Sequence, residues 1–155
     1  MKALLLLSLA ITSGCVENSY RAGFEQKYGS RTYDLVNKSK RISYFEVDPY
    51  YEDTLEVPRI GEYAVISEMT PVERLDKKKL KELLTDYKNY NSEGLNWACT
   101  FAPTYGFRFY RKSQQAYLLV SPVCDKAKFL IEGDTVSKFI DYSLLIQELG
   151  EIINE

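Results

Sequence analysis

The sequence predicts an α+β domain in which an antiparallel sheet of about five strands packs against two helices. Two patterns predict it: a strand–turn–strand stretch between Cys99 and Cys124, and two stretches with apolar residues at helical spacing, residues 80–87 and 145–152. A content of 45% hydrophobic and 27% charged residues is ordinary for a folded protein, and 155 residues are enough for one domain.

The central hairpin is the clearest signal in the chain. Phe107 and Phe109 alternate with Arg108, the chain turns through residues 112–115, and residues 116–120 form an apolar return strand. Pro103 and Gly106 predict a bend or bulge between Phe101 and Phe107. Further stretches with strand character are residues 41–47, 62–66, 129–131 and 136–140.

The first helix is expected to begin near residues 70–73, where Thr70 and Glu73 have the spacing of a capping box and Pro71 takes the first helical position. Asp76 offers a second start. Its apolar stripe is Leu80, Leu83, Leu84 and Tyr87, and the lysines at 77, 78, 79 and 81 form the polar face. This lysine run is either solvated surface or a site for phosphate or anionic lipid. The C-terminal helix has Leu145, Leu149 and Ile152 on one face, with Asp141 or Ser143 as its cap.

The N-terminus predicts export. A positive start at Lys2 is followed by an apolar run over residues 3–11, which is long enough for a signal peptide and too short to span a bilayer. Small residues then precede Cys15, and the run Ile11-Thr12-Ser13-Gly14-Cys15 resembles the lipobox of bacterial lipoproteins.

The lipobox resemblance implies removal of residues 1–14 and lipidation of Cys15 with a diacylglyceryl group and usually an N-acyl chain such as palmitate. Two or more acyl chains give stable membrane anchoring. Val16, where Asp would favour retention, implies the outer membrane, facing the periplasm, if the bacterium has two membranes. We therefore expect residues 15–40 to be a lipid-anchored tether and residues 41–155 to be the folded domain. The second half of the tether is more apolar than a linker needs, at Phe24, Tyr28, Tyr33, Leu35 and Val36, and its alternative is to dock on the domain or to contain a helical turn.

Two thiols remain after lipidation, Cys99 and Cys124. In an exported, oxidising setting they predict a disulfide between the ends of the hairpin. Closing a loop of this length stabilises the fold by about 3.5 kcal/mol in the chain-entropy model. The alternative is two buried free thiols.

The hairpin also carries the pattern C-x-F-x-P-x-Y-G-x-R-F, from Cys99 to Phe109. With the helix before it and the strand after it, this pattern resembles a motif of small uncharacterised exported bacterial proteins, over roughly residues 75–129. Many of those proteins have a second Cys near the last one, which this chain lacks. The resemblance implies a fold and no particular activity.

Composition excludes several classes of chemistry. The chain has thirteen Tyr and no His, which removes Ser/His/Asp and Cys/His catalysis and most zinc sites. A net charge of −2 gives no support for nucleic-acid binding. No phosphate-binding loop, nucleophile elbow or metal-ligand spacing is present, so no cofactor or metal is predicted. An envelope hydrolase with paired carboxylates remains an alternative, and its candidates are Glu46, Asp48, Glu52, Asp53 and Glu56.

The favoured function is binding rather than catalysis. Residues 48–59 form an acidic, Tyr-rich loop that is either an ordinary solvated connection or a recognition loop, because Tyr provides large contact area at low entropic cost. We predict a lipid-anchored module that contacts another envelope protein, and an inhibitor or immunity protein is one version of it. The candidate contact residues are Tyr50, Tyr51, Arg108 and Arg111.

Overall fold

The computed structural model describes residues 21–26, 28–52, 56–86, 89, 99–132, 138–141 and 143–154. The described helices are α1 (residues 21–26), α2 (Ser30–Lys38), α3 (Arg74–Thr85) and α4 (Ser143–Asn154). The described strands are β1 (Arg41–Asp48), β2 (Arg59–Ile60), β3 (Tyr63–Val65), β4 (Thr70–Pro71), β5 (Tyr105–Arg111), β6 (Gln114–Ser121), β7 (Lys126–Ile131) and β8 (Lys138–Asp141).

The α+β class is confirmed, and the sheet is larger than predicted. Its strands follow the order β2-β3-β1-β5-β6-β7-β8, β4 pairs with β1, and every pairing is antiparallel. The described part of the chain has eight strands rather than about five. β2 and β4 have only two residues each, which is too short to show a periodic pattern in the sequence.

The central hairpin is confirmed. β5 and β6 pair from Tyr105 opposite Val120 to Arg111 opposite Gln114, and the turn is shorter than predicted, with Lys112 and Ser113 at its tip. Lys112 has a φ of 56°, the left-handed conformation that tight hairpin turns require. Gly106 pairs in register with Leu119, so the bend or bulge predicted between Phe101 and Phe107 is not a bulge at Gly106.

Each face of the sheet has its own core, because successive side chains of a strand point to opposite sides. Phe107 and Phe109 lie on the face that packs against the helices. A smaller cluster on the other face lies beneath β2 and β3, and its buried members are Phe45, Val47, Ile60, Tyr63, Val65 and Leu119. The two faces are called here the helix face and the hairpin face.

The second half of the predicted tether, residues 15–40, is helical and docks on the domain, which was the alternative that its apolar residues offered. Phe24, Tyr28, Leu35 and Val36 are buried in the core of the helix face, so α1 and α2 belong to the domain. Gly29, with a φ of 86°, allows the chain to turn between the two helices. The domain therefore begins by residue 21 rather than at 41, and residues 15–20 lie outside the described residues.

The predicted capping box at residues 70–73 is also wrong. Thr70 and Pro71 pair with β1, and the N–H of Val72 donates to the carbonyl oxygen of Ile42 at 3.0 Å. α3 begins at Arg74 instead, and neither Thr70 nor Asp76 is its N-cap, which is Glu73. Leu80 and Leu84 are buried as predicted, whereas Tyr87 lies outside the described residues.

Lys81 does not belong to a fully solvated lysine face. Its ammonium donates to the carbonyl oxygens of Asn37 at 3.0 Å and Ser39 at 2.5 Å, at the C-terminal end of α2. A cation is favourable at that end of a helix, so this contact holds α3 against α2. Burial, with the neighbouring charge of Lys77, lowers the pKa of Lys81.

The C-terminal helix is confirmed as α4. Leu145, Leu149 and Ile152 share its buried face, as predicted, together with Ile146. The side chains of Asp141 and Ser143, the predicted caps, lie outside the described side chains.

Candidate functional site

A surface depression rich in tyrosine lies where β1 ends and β5 begins. Its volume is about 510 Å³, and its side chains include three tyrosine rings, two carboxylates and one exposed isoleucine. We call it the tyrosine pocket and define it by Tyr44, Glu46, Asp48, Tyr50, Ile66 and Tyr105. Among the described lining residues there is no lysine or arginine.

Strand alternation places the floor of the tyrosine pocket. Tyr44, Glu46 and Asp48 are alternate residues of β1 and therefore share the helix face. Tyr105 is paired with Glu46 across the β1–β5 ladder, and its ring centroid lies 6.1 Å from that of Tyr44. Both rings also contact the buried ring of Phe107, which fixes the floor to the main core.

The rim of the pocket is formed by two large apolar side chains that face water. Tyr50 is 76% exposed and Ile66 is 51% exposed, and they are two of the three large exposed hydrophobic side chains in the described part of the chain. Backbone contacts fix both positions. The carboxylate of Asp48 accepts a hydrogen bond from the N–H of Tyr50 at 2.8 Å, and the N–H of Ile66 donates to the carbonyl oxygen of Glu46 at 3.0 Å.

The polar groups of the pocket form few bonds among themselves. The hydroxyl of Tyr44 donates to Glu46 at 3.3 Å, and burial, with the nearby Glu46 charge, raises the pKa of Tyr44. Tyr105 is 6% exposed, and its buried hydroxyl has no hydrogen-bond partner among the described residues. Burial, with a smaller effect of Tyr44, raises the pKa of Tyr105, so the hydroxyl is neutral at pH 7.

A second depression, of about 380 Å³, lies between α2 and α3. Its walls carry both signs of charge, including Arg21, Lys78, Glu82 and Asp86. Lys78 and Glu82 form an ion pair at 3.6 Å, and Lys81 is used by the fold. This cleft therefore offers a weaker case for a ligand than the tyrosine pocket.

The predicted contact residues do not lie together. Tyr50 is on the rim of the tyrosine pocket, and Tyr51 follows it as a half-buried residue. Arg111 is at the far end of β5, about 20 Å along the strand from Tyr105. It lies 3.4 Å from a carboxylate oxygen of Asp34 and so holds the sheet to α2.

Arg108 lies on the hairpin face, opposite the tyrosine pocket. It donates to the sulfur of Met69 at 3.1 Å, and its guanidinium lies 5.6 Å from the ring centroid of Tyr110. Arg41 approaches the same ring at 5.1 Å. Two of the four predicted contact residues therefore have partners within the domain.

The disulfide prediction is confirmed, and two free thiols are excluded. Cys99 and Cys124 are bonded, and their Cα atoms are 5.7 Å apart, within the usual range for a disulfide. The bond lies beyond the end of the β5–β6 ladder, where Cys124 closes a 3₁₀ turn over Pro122–Cys124. Cys15, the predicted lipidation site, lies outside the described residues.

Most of the other residues of the C-x-F-x-P-x-Y-G-x-R-F pattern contact other side chains inside the domain. Phe101 contacts the ring of Tyr63 at 6.0 Å on the hairpin face, and Phe107 and Phe109 are fully buried on the helix face. Tyr105 is the member of the pattern that reaches the pocket. This assignment explains the pattern as a set of packing positions around one disulfide.

The acidic residues proposed for hydrolysis are not arranged as an opposed pair. Glu46 and Asp48 line the pocket from the same strand and the same face, whereas glycosidases place two acids on either side of the bond they cleave. Glu52 and Glu56 are exposed, and Asp53 lies outside the described residues. No group of three or more potential metal ligands occurs in the described part of the chain.

Sequence reasoning identified Tyr50 and missed Tyr44, Tyr105 and Ile66. The alternation of Tyr44, Glu46 and Asp48 in a predicted strand could have placed them on one face. Tyr105 and Ile66 reach the pocket because β1 pairs with segments that are distant in the sequence. No local sequence pattern predicts such pairing.

Comparison with known proteins identifies no relative. No family model, no curated protein and no solved structure matches the chain. Among the described residues, no helix combines the length and the apolar character that crossing a bilayer requires. The function of this chain must therefore be inferred from its own residues.

Proposed function

We propose that this chain is a lipid-anchored protein of the bacterial envelope that binds a partner protein through the tyrosine pocket. The observation that carries the proposal is the exposure of Tyr50 and Ile66 on the rim of a concave site. Aromatic and aliphatic side chains around a pocket are typical of interaction surfaces, where a few buried contacts provide most of the binding energy.

The envelope location is supported by two features of the sequence and one of the structure. The signal-peptide pattern and the lipobox-like run end at Cys15. The Cys99–Cys124 disulfide is of the kind that persists in exported proteins and is rare in the reducing cytosol.

The anchor restricts where the partner can be. Five residues, 16–20, lie between Cys15 and Arg21, the first described residue of α1, and even a fully extended connection of that length spans only about 20 Å. A domain lipidated at Cys15 therefore stays close to the membrane surface. The partner is therefore bound close to that surface.

The proposal is tested by photo-crosslinking in the bacterium that makes the chain. A benzophenone amino acid is placed singly at Tyr50, at Ile66, and at the control position Val123, which is 84% exposed and outside the pocket. We expect positions 50 and 66 to crosslink to the same protein and position 123 not to do so. Absence of a crosslink from 50 and 66, or an equal yield from 123, would refute the proposal.

A further inference from the structure

We propose that the tyrosine pocket receives an arginine side chain of the partner protein. This inference rests on the proposed function, because it assigns the chemistry of the contact made at that pocket. Three observations carry it: the negative charge of the lining, tyrosine rings that have no cation near them among the described residues, and carboxylate oxygens that can accept further hydrogen bonds.

The charge of the lining is negative. The lining contains the carboxyl groups of two acidic residues, Glu46 and Asp48, and no described lining residue is basic. Elsewhere, carboxylates such as those of Asp34, Glu25 and Glu82 form ion pairs with lysine or arginine within the domain. The two pocket carboxylates have no such partner among the described residues, so a cation from outside is the complementary group.

The tyrosines of the pocket also lack the cation that other tyrosines have. A guanidinium lies 5.2 Å from the ring centroid of Tyr33, another lies 5.1 Å from that of Tyr110, and an ammonium lies 5.9 Å from that of Tyr63. Within the described part of the chain, no cation approaches the rings of Tyr44, Tyr50 or Tyr105 in this way. Ring faces attract cations, and arginine gains more from this contact when water is excluded.

The acceptors of the pocket are only partly used. Glu46 accepts one hydrogen bond, from Tyr44, and Asp48 accepts one, from the backbone of Tyr50. A carboxylate has about four lone-pair sites, so both can accept more.

Arginine fits this set better than lysine. Its planar guanidinium stacks on aromatic rings and presents five donors in a fixed fork, which suits two carboxylates two residues apart on one strand. Lysine has three donors on a compact, strongly hydrated charge. A neutral sugar would also stack on tyrosine rings, but its binding would not depend on the two charges.

The first test combines the crosslinker at position 66 with the double variant Glu46→Gln and Asp48→Asn. These changes remove both charges and keep oxygen acceptors for the Tyr44 hydroxyl and the Tyr50 N–H. We expect the crosslink yield to fall about tenfold or more, because charge-assisted hydrogen bonds are lost. The matched control is Glu82→Gln with Glu151→Gln, which removes two exposed charges on α3 and α4 and should leave the yield unchanged.

This design separates the two proposals. If the parent chain gives no crosslink from position 66, the proposed function fails. If the parent crosslinks and the double variant does so equally, the arginine inference fails and the proposed function stands. An unchanged melting temperature of the double variant shows that loss of the crosslink is not loss of folding.

The second test measures the ligand chemistry directly. The full lipidated chain in detergent is titrated with acetyl-arginine methylamide, with the same derivative of citrulline, which is neutral and nearly the same shape, and with that of lysine. We expect the arginine probe to shift the NMR signals of the tyrosine pocket and to bind about tenfold or more tightly than the citrulline probe. Equal binding of citrulline, tighter binding of lysine, or signals that shift elsewhere would overturn the inference.

Discussion

The ring of Phe45 is buried against a neighbour that has no side chain. Phe45 and Gly106 are partners across the β1–β5 ladder. A Cβ atom at Gly106 would lie 2.6 Å from the carbonyl oxygen of Leu118 and 2.7 Å from the ring of Phe45. The glycine between Tyr105 and Phe107 is therefore required by the core of the hairpin face and not by its backbone angles.

At the residue scale we predict that Gly106→Ala lowers the free energy of unfolding by roughly 1–3 kcal/mol, because overpacking forces neighbouring atoms to shift. Gly150→Ala is the control, since a Cβ there meets nothing within 4 Å. Removing a glycine from the interior of α4 should stabilise the protein by up to about 1 kcal/mol. Denaturant unfolding of the two variants measures both values, and an equal effect of the two would contradict this account of Gly106.

Sequence alternation predicted the face of Arg108 but not what it contacts. Its opposition to Phe107 and Phe109 follows from the strand period alone. Its contact with Met69 and that of Arg111 with Asp34 join segments 39 and 77 residues apart. Such partners depend on how the elements pack. The exposure of Tyr50, in a loop, could therefore be predicted from the sequence, whereas the contacts of Arg108 and Arg111, in β5, could not.

At the scale of elements, hydrophobic patterns that extend over several residues predicted the helices and strands correctly, whereas short motifs did not. The hairpin, β1, β3, α4 and most of α3 follow from their hydrophobic periods. The Thr70–Glu73 capping pattern failed because its first two residues pair with β1 and α3 begins only at Arg74. The buried spacing of Phe24 and Tyr28, one helical turn apart, was a sign that the segment before residue 41 belongs to the core.

The disulfide joins the two segments that flank the central hairpin, and we predict its contribution from the loop that it closes. Cys99→Ala and Cys124→Ala should each lower the free energy of unfolding by about 3.5 kcal/mol. The double variant should lose little more than either single one, because one bond is removed in every case. Denaturant titration measures all three. Additive losses, or further destabilisation of the double variant by a reducing agent, would show that the bond is not the source of the effect.

At the scale of the whole molecule, the account joins an anchor, a short connection and one binding pocket. Residues 21–154 supply the domain, and the α+β class and disulfide that the sequence predicted are present in it. Because the domain begins by residue 21, the proposed anchor at Cys15 lies within six positions of the first described residue. The envelope partner, the restricted reach and the oxidising compartment all depend on lipidation of Cys15.

The measurement that tests this dependence most directly is mass spectrometry of the mature chain from the native bacterium, with Cys15→Ala alongside it. The account predicts that the mature chain begins at Cys15 and carries diacylglyceryl and N-acyl groups, and that the Cys15→Ala chain carries no acyl group and leaves the membrane fraction. A mature chain that retains residues 1–14 and has no lipid, or an unchanged acyl label on Cys15→Ala, would contradict it.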